Sequence, residues 1–170
     1  MAKRIARSPY RFLLVALLLV ASTMVAADKP DFSGSYTLTG SKGAFKLKKG
    51  EVWTLRVTQT ESAIDVTKVA ASHQNINKFP LDGGEGTYTS PGGQTGTCKA
   101  QFKGKNVILD IFVTTHPQPN GPAVRIHTRE RWELSSDSKT LTIRNDVDFP
   151  QSPLNGFQVI EPWSEIYSRN

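Results

Sequence analysis

The sequence has 170 residues, of which 38% are hydrophobic and 21% are charged, and it contains one cysteine. This length suits a single domain with its own core, and one cysteine excludes both an intramolecular disulfide and a cysteine-rich metal site. Four of the 21 basic residues precede residue 28, which leaves 17 basic against 15 acidic residues and a net charge of +2. Such a small charge argues against a nucleic-acid binder.

Residues 1–27 have the order of a secretory signal peptide. A basic start without acids leads into the apolar run Phe12–Ala21, and Val25 and Ala27 occupy the −3 and −1 positions before Asp28. The alternative is an uncleaved membrane anchor, but this run is shorter than the ~20 residues that span a bilayer. The sequence therefore predicts cleavage before Asp28, a periplasmic or secreted bacterial protein, and one domain over 28–170 without a membrane span.

Apolar residues then recur at every second position between turn-forming clusters, which predicts half-buried β-strands. The predicted strands are, in chain order, Ser35–Thr39, Glu51–Gln59, Ala63–Val69, Thr97–Phe102, Val107–Thr115, Ala123–Leu134, Thr140–Asp148 and a last one near Gln158–Tyr167. The glycine-rich segment Leu81–Gly96 is interpreted as a mobile loop around a frayed strand at Thr87–Thr89.

Eight or nine short strands, mostly joined by hairpin turns, predict an all-β fold. Alternation with one apolar face is typical of antiparallel sheets. So many sequential hairpins need a closed barrel or a sandwich to remove their edges. Short connections favour an up-and-down antiparallel barrel, because a sandwich usually requires longer crossovers between its sheets.

Three short stretches resemble a known family. Asp31-Phe32-Ser33-Gly34-Ser35-Tyr36 resembles the Asp-Phe-x-Gly-x-Trp opening of lipocalin-like (calycin) domains of secreted bacterial proteins, with Tyr36 in place of Trp. Arg129–Ser135 with Lys139–Ile143 is similar to their late hairpin, and Tyr167-Ser168-Arg169 to their carboxyl end. The resemblance implies an up-and-down barrel of around eight strands that can hold an apolar ligand.

The residues that usually carry catalysis form no recognisable constellation. His73, His116 and His127 lie far apart and outside any His-x-His or His-Glu-x-x-His spacing. Neither a Gly-x-Ser-x-Gly elbow nor a phosphate-cradling glycine loop occurs. Cys98 falls in the apolar phase of a strand, where it is expected to behave as a small buried hydrophobe. No enzyme activity, cofactor or metal site is predicted.

One face of the predicted strands would form an apolar wall inside the barrel. Its members are Trp53, Leu55, Val57, Leu109, Ile111, Ile126 and Trp132. Glu130 shares this face, and a buried carboxylate is costly unless it is paired or hydrogen-bonded. Three interpretations of Glu130 follow. It is an anchor for a polar or cationic ligand head, a structural partner for an arginine or for backbone N–H groups, or a residue that a bulge exposes by shifting the phase of the strand.

The first long loop carries Phe45 among lysines, including Lys46 and Lys48. In a lipocalin-like barrel this loop borders the open end, so these three residues and the Leu81–Gly96 segment are predicted to frame the pocket mouth. Its lysines would steer anionic ligands or simply add solubilising charge.

The leading functional hypothesis is a monomeric, exported protein that binds a small apolar molecule inside its barrel. The alternative is a module that binds or inhibits another protein through its loops and outer surface. In that case Trp53, Phe102, Phe112 and Trp132 would fill the interior, since an eight-stranded barrel is narrow.

Overall fold

Ten β-strands run through the part of the chain that the structure describes. The structure, a computed structural model, describes residues 29–70, 73–90, 92–116, 121–151 and 160–170. The predicted signal peptide and its cleavage point lie outside these residues. The strands are β1 (Gly34–Gly43), β2 (Trp53–Gln59), β3 (Ala63–Ala70), β4 (His73–Pro80), β5 (Glu85–Thr89), β6 (Thr95–Lys103), β7 (Asn106–Thr115), β8 (Val124–Leu134), β9 (Thr140–Gln151) and β10 (Trp163–Arg169).

All ten strands belong to one antiparallel sheet with the order β4-β3-β2-β1-β10-β9-β8-β7-β6-β5. All neighbours in the sheet are consecutive along the chain except β1 and β10, whose pairing joins the first four strands to the last six. The sheet curls into an up-and-down barrel. The predicted all-β barrel is confirmed. It has ten strands where the sequence predicts eight or nine, and the described residues contain no helix.

The strand missing from the sequence prediction is β4. Its inward positions are occupied by Asn75, Asn77 and Phe79, which are buried, whereas Ile76 on the outer face is 69% exposed. Polar residues inside and an apolar residue outside reverse the usual alternation, so periodicity does not reveal this strand.

The seam of the barrel lies between β4 and β5, which share no backbone ladder. Side chains join them instead. Thr89 N donates to Asn77 Oδ1 over 2.8 Å, and Asn77 Nδ2 donates to the Thr89 carbonyl oxygen over 3.1 Å. Asn75 Nδ2 reaches the same oxygen over 3.3 Å. The two buried amides therefore replace the ladder that would close the barrel.

The glycine-rich segment Leu81–Gly96, predicted as a mobile loop around a frayed strand at Thr87–Thr89, contains a strand at that place. This strand, β5, is longer than predicted, since it spans Glu85–Thr89, and it pairs with β6 over its whole length. The glycines of the segment allow close packing. A Cβ at Gly96 would overlap the Phe112 carbonyl oxygen, and one at Gly86 would lie 2.8 Å from Pro80 Cδ.

The residues before β1 close one end of the barrel. Phe32 is fully buried, and its ring lies 6.2 Å from the Trp132 ring and 6.4 Å from that of Phe102. Tyr36 Oη donates to the Phe32 carbonyl oxygen over 2.8 Å, and Arg169 Nη2 donates to Tyr36 Oη over 2.7 Å. We call this region the packed end. The opening and closing motifs of the sequence both lie there.

Along β7, the burial of inward residues decreases with distance from the packed end. Val107, Leu109, Ile111 and Val113 are 0%, 1%, 3% and 8% exposed. On β8 the inward residues Ile126, Thr128 and Glu130 are only partly buried, although Val124 beyond them is fully buried. The hydrophobic core therefore fills one half of the barrel more completely than the other.

Candidate functional site

The half of the barrel remote from Phe32, which we call the accessible half, has inward side chains that keep solvent-accessible surface. They are Trp53 on β2, Lys68 on β3, Tyr88 on β5, Ile126, Thr128 and Glu130 on β8, Val147 on β9 and Trp163 on β10. The strand registers direct these residues inward, so their partial exposure means that space unfilled by the described residues borders them.

Glu130 projects from β8 between two buried neighbours, Leu109 on β7 and Asn145 on β9. Trp132 Nε1 donates to Glu130 Oε2 over 2.8 Å. Burial raises the pKa of the Glu130 carboxyl, and the nearby Glu165 raises it further. The positive charge of Lys68 and the hydrogen bond from the Trp132 indole lower this pKa, but they do not cancel the effect of burial. The arrangement favours an uncharged Glu130 in the ligand-free interior.

Lys68 and Glu165 form an ion pair inside the same half. Lys68 Nζ lies 2.7 Å from Glu165 Oε2, and Tyr167 Oη donates to the same oxygen over 2.6 Å. The Lys68 ammonium also lies 5.2 Å from the centre of the Trp53 ring, within the range of a cation–π interaction. The two partners differ in environment, since Glu165 is 4% exposed and Lys68 is only partly buried.

Tyr88 contributes a phenol to this group of polar side chains. Burial raises the pKa of its hydroxyl, and the carboxyls of Glu130 and Glu165 raise it further. The hydroxyl therefore remains protonated, and it can donate a hydrogen bond.

Two indole N–H groups, those of Trp53 and Trp163, are buried and find no acceptor among the described residues. An unpaired buried donor costs about 1–3 kcal/mol. The two rings therefore give the accessible half apolar surface, and their N–H groups leave it with two hydrogen-bond donors that lack an acceptor.

The predicted mouth loop covers this half of the barrel. The Phe45 ring lies 4.9 Å from the Trp53 ring, and Leu47 packs against the core. Lys46 and Lys48 are exposed. The loop thus presents aromatic surface inward and positive charge outward, next to the accessible half.

All eight predicted wall residues point into the barrel. Trp53, Ile126 and Glu130 border the accessible half. The other five lie in the tightly packed core, and they are Leu55, Val57, Leu109, Ile111 and Trp132. That any of the eight contacts a ligand stays a prediction. Phe112, predicted as an interior plug, lies instead on the outer face, where its ring stacks 4.5 Å from that of His127.

Sequence reasoning missed the polar members of the interior, above all Lys68, Tyr88 and Glu165. A signal for two of them exists in the register. Lys68 continues the inward phase of Ile64 and Val66 on β3, and Glu165 continues that of Tyr167 on β10. Because charged residues in an apolar phase also mark strand ends and bulges, this phase alone is a weak signal.

Ion pairs on the outer face involve a different set of residues. His127 Nε2 lies 2.8 Å from Asp110 Oδ1, its Nδ1 lies 3.1 Å from Asp148 Oδ2, and Arg129 Nε donates to Asp110 over 2.8 Å. Burial would raise the pKa of Asp110, but Arg129 and His127 outweigh it and lower that pKa. His127 is thus tied into an ion-pair network on the outer face.

Neither a metal-ligand cluster nor a membrane-spanning helix occurs in the residues that the structure describes. No three His, Cys, Asp or Glu side chains come together there as a metal ion would require. No helix in that part of the chain is long and apolar enough to cross a membrane.

The fold has solved counterparts, although no protein-family model matches the chain. It is similar to the REP1-NXSQ fatty acid transporter, with a TM-score of 0.57 and 12% identity over 82% of this chain and 96% of that one. It is also similar to zebrafish ileal bile acid-binding protein complexed with cholic acid, with a TM-score of 0.56 and 12% identity over 82% and 98% of the two chains. At such identities the likeness shows the fold alone, an antiparallel β-barrel.

Proposed function

We propose that this protein binds a small, mostly apolar molecule in the accessible half of its barrel. The observation that carries the proposal is the gradient of burial, since inward residues pass from fully buried at Phe32 to partly exposed around Trp53 and Ile126. An interior apolar space with a few polar groups has the composition of a small-molecule site. The names of the two similar structures, a fatty acid transporter and a bile acid-binding protein, support the proposal.

Within this proposal the roles divide between two kinds of residue. Trp53 and Ile126 supply apolar contact, and Glu130 fixes the orientation of the ligand. Phe45 shields the ligand from the loop side, while Lys46 and Lys48 stand at the entrance. Binding, and not catalysis, is the role that these groups support, because the similar structures are named as transport and binding proteins.

The test is a titration with Nile red, a neutral apolar dye whose fluorescence rises when it leaves water. We expect one dye per protein. Ile126→Trp should fill the accessible half and weaken binding by at least about tenfold, an energy of roughly 1.4 kcal/mol. Ile108→Trp, the same change on the outer face of β7, should leave binding unaltered. Dye binding that Ile126→Trp does not alter would contradict an interior site.

A second candidate function is a module that binds another protein through its outer surface. The tight packing of Leu55, Val57 and Leu109 favours it, since little of the predicted wall is free. Native mass spectrometry of gently purified protein separates the two candidates. A retained small molecule supports interior binding, whereas a clean mass together with no dye binding supports the surface module.

Export to the periplasm or the medium is proposed from the sequence of residues 1–27 and is independent of the barrel. Amino-terminal sequencing of protein from expressing cells should find a start at or near Asp28. An intact Met1 on the cell-associated protein would contradict export by cleavage. A monomer is proposed as well, and light scattering of the purified protein tests it.

A further inference from the structure

The ionisable groups of the accessible half determine which polar end a ligand can bring into the barrel. Glu130 and Glu165 enter from β8 and β10, and Lys68 enters from β3. Asn145 on the intervening strand β9 is the direct partner of Glu130 and of Trp163, which sets the two carboxyls on adjoining levels of the interior.

Lys68 forms an ion pair with Glu165, one of the two carboxyls. Its ammonium lies 2.7 Å from Glu165 Oε2, and Tyr167 Oη donates to the same atom. Glu130 receives only the indole N–H of Trp132, and no cation among the described residues forms an ion pair with it. One ammonium therefore faces two carboxyl groups.

This imbalance discriminates between ligand head groups. A carboxylate brought into the accessible half would meet two acids, and the cation Lys68 is already paired. No free cation would compensate the carboxylate for its lost hydration, and this loss would oppose binding. A cationic head would instead meet Glu130, which is close enough to Tyr88 to raise the pKa of its hydroxyl and forms no ion pair with a described residue. The face of the Tyr88 ring also attracts cations.

We propose that the ligand carries a protonated amine on an apolar body and that Glu130 is its counter-ion. The inference rests on the proposed function, because it assumes that the interior binds an apolar molecule. It reverses the expectation that the loop lysines suggest, since it assigns selection of charge to Glu130 inside the barrel and not to Lys46 and Lys48 outside.

The test compares dodecylamine, dodecanol and dodecanoate, which share one chain and differ in the head group. Each displaces Nile red at pH 7, below the concentration at which it aggregates. We expect the amine to bind at least about tenfold more tightly than the alcohol, and the carboxylate to bind weakest. Glu130→Gln, which keeps an oxygen for Trp132, should abolish the preference for the amine. Glu133→Gln, an exposed position on the same strand, should retain it.

Thr128→Lys is a second variant that leaves Glu130 intact and places a cation two residues away on the same inward face. It too should abolish the preference, so the test survives if Glu130→Gln does not fold. Equal affinities for the three ligands, a preference for the carboxylate, or a preference that Glu130→Gln leaves unchanged would each overturn the inference while interior binding stands. Failure of Nile red and of all three ligands to bind would overturn the proposed function itself.

Discussion

Lys68 and Glu165, which are 97 residues apart in the sequence, meet inside the barrel over 2.7 Å. Their strands, β3 and β10, are separated in the sheet by β2 and β1. The contact therefore spans the interior and does not follow a ladder. Glu165 also accepts a hydrogen bond from the Tyr167 hydroxyl, whose pKa is raised by burial, by the charge of Glu165 and by this hydrogen bond.

Removing Lys68 should destabilise the fold more than its partial exposure suggests. Lys68→Met leaves Glu165 buried without its cation, and breaking a buried pair from one side costs about 3 kcal/mol or more. Urea denaturation at pH 7 measures the free energy of unfolding. Lys78→Met on the outer face of β4 is the matched control and should change it little.

The double variant Lys68→Met with Glu165→Gln should recover most of this loss, because it removes both charges together. If the double variant is as unstable as the sum of the two single ones, the pair does not act as a unit and the interpretation of the ion pair is wrong.

The seam between β4 and β5 should depend on Asn77. Asn77→Ala removes two hydrogen bonds to the backbone of Thr89. Asn75 still donates to the Thr89 carbonyl oxygen, but the Thr89 N–H loses its acceptor, at a cost of about 1–3 kcal/mol. The Thr89 amide should then exchange with deuterium much faster, while amides in β7 keep their protection. Gln74→Ala, on the exposed outer face, serves as the control. Unchanged exchange at Thr89 would show that other contacts close the barrel.

Cys98 should be inert in the native protein. It is fully buried, and burial raises the pKa of its thiol to about 11. Since the thiolate is the reactive form, labelling by an aromatic disulfide reagent at pH 8 should be slow in buffer and fast in guanidinium chloride. Rapid labelling of the folded protein would mean that β6 opens readily around Cys98.

The sequence predicts most of the fold because apolar residues at every second position mark the buried face of a strand. This pattern works for β2 and β7, whose inward positions hold Leu55, Val57 and other apolar residues without interruption. It fails for β4, where Asn75 and Asn77 face inward to bridge the seam. Those amides form hydrogen bonds with the backbone of Thr89, a partner on another strand that the local sequence of β4 does not reveal.

Prediction of the site is limited for the same reason, since its residues find their partners on strands that are distant in the sequence. Glu130 stands out because it interrupts an apolar face on a long, regular strand. Lys68 and Glu165 lie near the ends of shorter strands, where a charged residue is ordinary. Only the closure of the barrel brings them together, so the charge balance around Glu130 is a property of the fold and not of any segment.

The last prediction concerns the dependence of stability on pH. Burial and Glu165 raise the pKa of Glu130 above its ordinary value of 4.5, against the opposing effects of Lys68 and Trp132. A raised pKa in the folded state means that the uncharged carboxyl stabilises the fold below pH 4.5 and that this contribution is lost as the pH rises through the folded-state pKa.

Glu130→Gln should therefore stabilise the ligand-free protein relative to wild type at pH 7, and the gain should shrink towards pH 4, where Glu130 is itself uncharged. Lys68, Glu165 and Tyr88 are present in both proteins, so the difference between the two stabilities reports Glu130. Glu133→Gln should show no such difference. If Glu130→Gln is the less stable protein at pH 7, the carboxylate is satisfied in the fold and Glu130 is a structural residue. If it is the more stable one, adding dodecylamine should erase the gain, because the bound ammonium stabilises the charged carboxylate of the wild type only.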